Sequence, residues 1–377
     1  MDSLPSVTVA IPTFNEEASI ANVLNGFLAT TYPGTLVIVV ADGDSDDGTK
    51  KIVREFVDRD HRVQLIDNPL RIQSAALNLL LNRYESDIFL RADAHSDYAP
   101  DYIERSVEAL LETSAMDAGG AQRFVAKTPF QLGIALAAKT FFGSGGAKYR
   151  DPHYDGYADT VFLGCFWRQK LLNLGGFSVA RNEDGELSLR MVRENPEAIY
   201  VSSKIKVWYY PRQTWQRLWR QYIKYGRGRC LTHIRHPDKF HLRSRIPLLF
   251  IPGLAILATI TAIVYVSQLG TVAYLACWLI FLYPVFEALR VTLSTRQTAK
   301  AEIWRGPAQE VPSVFIRFVY CLMAMITMPL AYNYGYGYQL FQIKVSRQEK
   351  TIFFEWDLWP YSVPYSACGA KDCMGIA

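Results

Sequence analysis

Residues 7–59 read VTVAIPTFNEEASIANVLNGFLATTYPGTLVIVVADGDSDDGTKKIVREFVDR. Two short β-branched runs, VTVAI and LVIVVAD, each lead into apolar residues at helical spacing, from about Glu17 to Ala29 and from Gly48 to Arg59. The runs are continuously apolar rather than alternating, as in parallel strands covered by helices on both faces. VQLIDN (63–68) and IFLRAD (88–93) continue the series, with a helix from about Ser74 to Asn82 between them. The expected fold is α/β with a doubly wound sheet, in which ligands sit beyond the carboxyl ends of the strands. Pro12, Thr13, Asn15 and Glu16 follow the first strand, Asp42 and Asp44 the second, and Asp93 and His95 the fourth. Three polar clusters are therefore expected around one crevice.

Working outward, the composition of the 377 residues, 50% apolar and 20% charged, averages two unlike halves. Residues 246–267 and 271–286 contain no charge, separated by Gln268-Leu269-Gly270. Each approaches the ~20 apolar residues that match a bilayer core. A third apolar segment, Val314 to Tyr334, carries Arg317 near its start and Pro329 near its end, and reads equally as a span or a re-entrant segment. Positions 202–245 hold twelve Lys or Arg against the single acid Asp238, which places that side in the cytoplasm. No basic stretch followed by an apolar core opens the chain, so the N-terminal half is expected to stay cytoplasmic. The expected organisation is an α/β domain over 1–240, a membrane domain over 241–340 and a tail over 341–377 whose side stays open. Six scattered cysteines form no CxxC pair, which suggests neither disulfides nor zinc.

The carboxylates carry the chemistry. In ADGDSDDGT, Asp42 and Asp44 can accept from a base N–H or a ribose hydroxyl, while Asp46 and Asp47 suit a helix cap equally well. Asp93 and His95, two residues apart beyond a strand, can face one divalent cation. A cation there offsets charge on a departing nucleoside diphosphate, and imidazole favours Mn, with Mg second. Arg71 precedes a helix start, where amides and a guanidinium can meet phosphate. Lys127, Arg150 and His153 read as ordinary surface residues. The apolar stretch 128–145 is too short to span and reads as a core or interfacial helix.

VAIPTFNEE (9–17), VVADGDSDDGT (39–49), RADAH (91–95) followed by Pro100, and NEDGELSLR (182–190) stand in the order of family 2 glycosyltransferases with the GT-A fold, which this chain resembles. The resemblance extends to bacterial exopolysaccharide transferases similar to the succinoglycan-type glucosyltransferases. It implies that Asp42 binds uracil, that Asp93 with His95 binds metal and diphosphate, and that Asp184 is the catalytic base of an inverting displacement, with Glu183 its competitor. His95 stands where the family usually has a second Asp.

Residues 213–229, QTWQRLWRQYIKYGRGR, place Arg217, Arg220, Gln221 and Lys224 on one helical face. Such a helix suits anionic lipid headgroups. Gln221-Tyr222-Ile223-Lys224-Tyr225 also resembles the family's Gln-x-x-Arg-Trp motif, so Arg220, Gln221, Lys224 and Tyr225 are candidates for the acceptor or the diphosphate. Lys and Tyr in place of Arg and Trp favour single additions over processive synthesis. The expected partners are a UDP-sugar donor, UDP-glucose first, a lipid-linked saccharide acceptor, membrane lipids and other polysaccharide-assembly enzymes, at the plasma (inner) membrane with the catalytic domain on its cytoplasmic face. No nucleic-acid partner is expected. The alternatives are direct glycosylation of a membrane lipid such as a polyprenyl phosphate or ceramide, and an inactive nucleotide-sugar sensor or scaffold.

Overall fold

The computed structural model describes residues 4–179, 181–237, 248, 253, 256, 259–260 and 271–346. The expected first span over 246–267, apart from those isolated positions, and the tail beyond 346 lie outside the described residues. The described residues divide into two compact units, those of 4–123 with 151–209, and those of 124–150 with 210–346.

The first unit opens as a βαβα series: β1 (Val7–Thr13), α1 (Ile20–Leu28), β2 (Leu36–Asp42), α2 (Thr49–Arg59), β3 (Val63–Asp67), α3 (Gln73–Arg83) and β4 (Ile88–Arg91). These four strands pair in parallel in the order β3-β2-β1-β4. Their register puts Thr13 opposite Asp42 and Asp42 opposite Asp67, so the polar ends line up. The remaining elements are β5 (Ser96–Tyr98), α4 (Tyr102–Glu112), β6 (Asp117–Phe124), β7 (Gly156–Tyr157), β8 (Phe162–Trp167), α7 (Arg168–Asn173), α8 (Glu183–Glu194) and β9 (Ile199–Tyr209). The sheet continues β8-β6-β9-β5, so the α/β expectation holds, but with a mixed sheet. β8 runs antiparallel to both β4 and β6, and β9 antiparallel to β5 and β7. Gly119 and Gly120 let β6 approach β8 and β9: a Cβ at Gly120 would strike the Ile205 backbone oxygen. Val9, Ile11, Leu24, Phe27, Ile38, Val40 and Leu90 form the core on this sheet, each nearly or fully buried.

The second unit holds α5 (Pro129–Ala138), α6 (Phe141–Ser144), α9 (Trp215–Arg235), α10 (Thr271–Ser294), α11 (Ala299–Glu302) and α12 (Val314–Ser346). Within the 128–145 stretch, α5 proves to be a core helix: Thr128 and Gln131 form a capping box, and Leu132, Ala135, Leu136 and Ala137 are fully buried, whereas Phe141 beyond it is exposed. The third apolar segment is one continuous helix through Pro329, and Val314–Val345 is, among the described residues, the one helix long and apolar enough to cross a membrane. Arg317 at its start donates to the Pro312 and Arg296 carbonyls rather than to a carboxylate.

α9 and α12 cross backbone to backbone. A Cβ at Gly226 would collide with the Tyr332 carbonyl, and one at Gly335 with the Ile223 carbonyl. Small residues at a crossing permit this approach and the close dispersion contacts that go with it. Polar bonds flank it: Trp215 Nε1 donates to Thr327 Oγ1 at 3.0 Å, and Arg227 Nε to Gln339 Oε1 at 2.9 Å. Gly226→Leu or Gly335→Leu should therefore destabilise the protein by roughly 1–3 kcal/mol through overpacking. Thermal melting of the detergent-solubilised chain reads this, with Gly337→Leu as control, since a Cβ at Gly337 meets nothing within 4 Å.

Candidate active site

The β1 and β2 loops are knitted together at the carboxyl edge of the sheet. Gly43 N donates to Thr13 O at 2.8 Å, Asn15 N to Ser45 Oγ at 2.9 Å, and Asn15 Nδ2 to Asp46 Oδ1 at 2.7 Å. Asp46 thus serves the neighbouring loop, while Asp47 accepts from Thr49 N at 3.0 Å beside the start of α2. Asp42 is fully buried, its two oxygens accepting from Ser45 N at 2.8 Å and Ser45 Oγ at 2.6 Å. Lys50 Nζ stands 3.5 Å from Asp42, 3.4 Å from Asp44 and 3.3 Å from Asp67, which offsets the repulsion among them. Arg71 pairs with Asp44. Arg71 and Lys50 hold the exposed Asp44 carboxyl below the usual range.

At the end of β4 the Tyr98 hydroxyl grips the Asp93 backbone from both sides, accepting from its N–H at 2.7 Å and donating to its carbonyl at 3.0 Å. Burial, with Asp93 beside it, pushes the Tyr98 phenol up, which keeps it a neutral donor. His95 lies across to the β1 loop, its Nδ1 3.0 Å from Glu16 Oε1.

The N-terminus of α8 brings in the last acids. Arg190, from within α8, donates to Glu186 and to the carbonyls of Leu174 and Gly176, and Asn78 of α3 bonds both backbone groups of Phe177. These bonds fix the turn leading into α8, whose first turn presents Glu183 and Asp184 to its own positive dipole end. Glu183 turns inward, 8% exposed, with Oε1 3.3 Å from Arg91 Nη2. Asp184 is exposed, and its Oδ1 accepts from Gly185 N at 2.7 Å. Arg91, 8% exposed, also reaches Asp93 Oδ1 at 3.9 Å. Burial opposes its charge, but Glu183, Asp93 and Asp184 outweigh burial and raise its pKa. For Glu183 burial is the larger influence, and its carboxyl is raised despite Arg91.

The structure thus brings together Thr13, Asn15, Glu16, Asp42, Asp44, Arg71, Asp93 and His95 through loop contacts, and ties Asp93 to the α8 acids through Arg91. Arg91 and Tyr98 were not singled out from sequence. A charged fourth residue in the buried strand IFLR was the available signal, since a buried charge needs partners. Asn15, Asp44, Arg71 and Asn182 all adopt left-handed backbone, with φ between 54° and 64°. Each such non-glycine residue costs about 1–3 kcal/mol, which the surrounding bonds must offset.

In the second unit, Arg217, Arg220, Lys224 and Tyr225 of α9 are exposed, while Gln221 Nε2 donates to Tyr225 Oη at 2.9 Å. Arg150, read from sequence as surface, is half-buried against the Phe124 and Tyr149 rings, 4.8 Å and 5.1 Å from their centroids. Its buried Nε has no hydrogen-bond partner among the described residues. Among the described residues, no group of three or more His, Cys, Asp or Glu clusters as a metal site.

Arg91→Met should destabilise the first unit, and the loss should shrink when Glu183→Gln is added. Without Arg91 the Glu183 carboxyl rises further above its unfolded value, so the folded state holds the extra proton. Stability then falls as pH rises above the ordinary carboxylate range. The gap between wild type and Arg91→Met is expected to widen from pH 5 to pH 8 in urea unfolding followed by circular dichroism.

The model of glycosyl transferase family 2 matches residues 8–167. The succinoglycan biosynthesis protein ExoA of Rhizobium meliloti is 35% identical over 257 residues, covering 67% of this chain and 78% of that protein. A Methanococcus voltae dolichyl N-acetyl-alpha-D-glucosaminyl phosphate 3-beta-D-2,3-diacetamido-2,3-dideoxy-beta-D-glucuronosyltransferase is 23% identical, covering 60% and 73%. Among solved structures, the mannosyltransferase PcManGT of Pyrobaculum calidifontis, in complex with GDP-Man and Mn2+, superposes with a TM-score of 0.51 at 18% identity, over 87% of this chain and 88% of that one.

Proposed function

The chain belongs to glycosyl transferase family 2, and from that premise we propose that it moves a hexose from a UDP-sugar, UDP-glucose first, to a lipid-linked saccharide during exopolysaccharide assembly at the cytoplasmic face of the inner membrane. The observation that carries the mechanism is the division of labour at the start of α8. Glu183 is committed to Arg91, whereas Asp184 is exposed one residue later. Asp184 takes the proton from the acceptor hydroxyl as that oxygen attacks the anomeric carbon. The bond to the diphosphate breaks on the opposite face, its electron pair leaves with the phosphate oxygen, and the configuration inverts.

On the donor side, Asp42 and Asp44 are proposed to hold the uridine, with Arg71 toward the diphosphate and Pro12, Thr13 and Asn15 shaping the edge. Asp93 and His95 fit a divalent cation: a carboxylate and an imidazole are donors suited to Mn and acceptable to Mg, and Tyr98 fixes the Asp93 backbone. When bound there, the cation offsets negative charge gathering on the departing diphosphate.

The second unit is proposed to meet the membrane and the acceptor. ExoA is named for succinoglycan biosynthesis, which supports a polysaccharide setting. α12 is long and apolar enough to span, and Leu282, Phe286, Leu293, Phe315 and Phe341 expose large apolar side chains. The α9 cations and Arg150 in its aromatic slot suit a phosphate-bearing acceptor head. That slot equally suits the second reading, transfer directly to a membrane lipid phosphate.

Two outcomes are expected in membranes from expressing cells, with label from UDP- and GDP-sugars followed into lipid-extractable product. Asp184→Asn should lower transfer at least about 100-fold, the scale of a lost general base, while UDP still binds. Product formation by Asp184→Asn at the wild-type rate would sink the assignment. Arg150→Gln should raise the acceptor KM on the order of tenfold, as for one lost charge-assisted hydrogen bond, without changing the donor KM. The product, an extended lipid-linked saccharide or a singly glycosylated lipid, separates the two readings.

A further inference from the structure

Glu16 was grouped from sequence with the donor-contacting residues, but its carboxylate has another employment. Oε1 stands 3.0 Å from His95 Nδ1, and Oε2 accepts from Ser19 Oγ at 2.9 Å. Glu16 N donates to Thr49 Oγ1 at 2.9 Å, and its carbonyl accepts from the N–H groups of Ser19 and Ile20. The side chain is therefore held at both oxygens and its backbone at both ends. Glu16 and His95 are three-quarters buried, with side-chain exposures of 24% and 29%. A carboxylate at Nδ1 selects the tautomer that carries its hydrogen there, which leaves the lone pair on Nε2. It also fixes the ring plane and makes Nε2 more basic, the arrangement that accompanies histidine when it ligates a metal.

We infer that Glu16 is a positioning residue which makes His95 a metal ligand through Nε2, so that this chain builds from two loops what a second aspartate would supply from one. The inference rests on the metal reading of Asp93 and His95 above and deepens it. An aspartate at position 95 would need no tautomer set and would be repelled by Glu16. Glu16 should therefore matter only while His95 is present.

The test is a double-mutant cycle read by Mn2+ binding rather than by turnover. The detergent-solubilised full chain with UDP is titrated with Mn2+, and the free ion is followed by electron paramagnetic resonance. Wild type is expected to bind one Mn2+, and Glu16→Ala should weaken it 10- to 100-fold, the usual cost of losing such a partner. Glu16→Gln, whose amide oxygen still accepts from Nδ1–H, should weaken it less, and guards against misfolding of the alanine variant. In the His95→Asp background, Glu16→Ala should bring no loss. In parallel, 15N-histidine spectra of the metal-free wild type should show the Nδ1–H form, with the Nε2–H form gaining in Glu16→Ala. Equal Mn2+ affinity in wild type and Glu16→Ala, or the same loss in both backgrounds, would overturn the inference while leaving the metal reading intact. Absence of any stoichiometric Mn2+ in wild type would overturn the metal reading and this inference with it.

Discussion

A guanidinium at the end of β4 is what allows this site to exist. Asp93 and Glu183 flank Arg91, with Asp184 adding to the negative field there, and buried carboxylates brought this close would otherwise repel one another or take up protons. Arg91 also joins two distant pieces of chain, because its partner Glu183 stands in the first turn of α8. The pair carries a desolvation cost that its Coulomb attraction only partly returns. Its value lies in geometry: with Glu183 turned inward, the next residue along the helix faces outward. The clamp of Arg190, Glu186 and Asn78 on the preceding turn serves the same end by holding the helix start in place.

The second unit is organised by a different constraint. Its helices carry few acids, and α9 carries none. Close backbone approach at Gly226 and Gly335 replaces the large interlocking side chains of a soluble core. Since Ile223 and Gly226 face that crossing, Lys224 and Tyr225 between them are turned outward. One face of the QYIKY segment is thereby spent on packing, and the other is left for charge.

Much of this was legible in the amino-acid order. The continuous apolar runs specified the parallel strands, and residues such as Asp42 and Asp93 stand at strand ends because such sheets open there. The antiparallel half was not legible, because β6 (DAGGAQRF) opens on an acid and carries two adjacent glycines in place of a β-branched run, and nothing local reports strand direction. Helix boundaries moved where side chains were engaged elsewhere: Glu17 reads as a helix opener, yet its carboxylate accepts from Gly48 N across the β2 loop, and α1 begins only at Ile20. Arg91 and Tyr98 were hidden because their partners lie in the fold rather than nearby in the chain, or make bonds to backbone that leave no trace in residue type. Arg150 looked like surface for the same reason, since its slot is made by Phe124, twenty-six residues earlier, and by its neighbour Tyr149.

The left-handed residues at Asn15, Asp44, Arg71 and Asn182 have one more implication. Glycine at any of them would relax the backbone, so local sequence optimisation alone would favour a substitution that these positions lack. In exchange for the strain, each polar side chain is delivered in one orientation before any ligand arrives, and binding then need not freeze a wandering loop. The entropy of assembling the crevice is thus settled during folding rather than at each encounter with substrate.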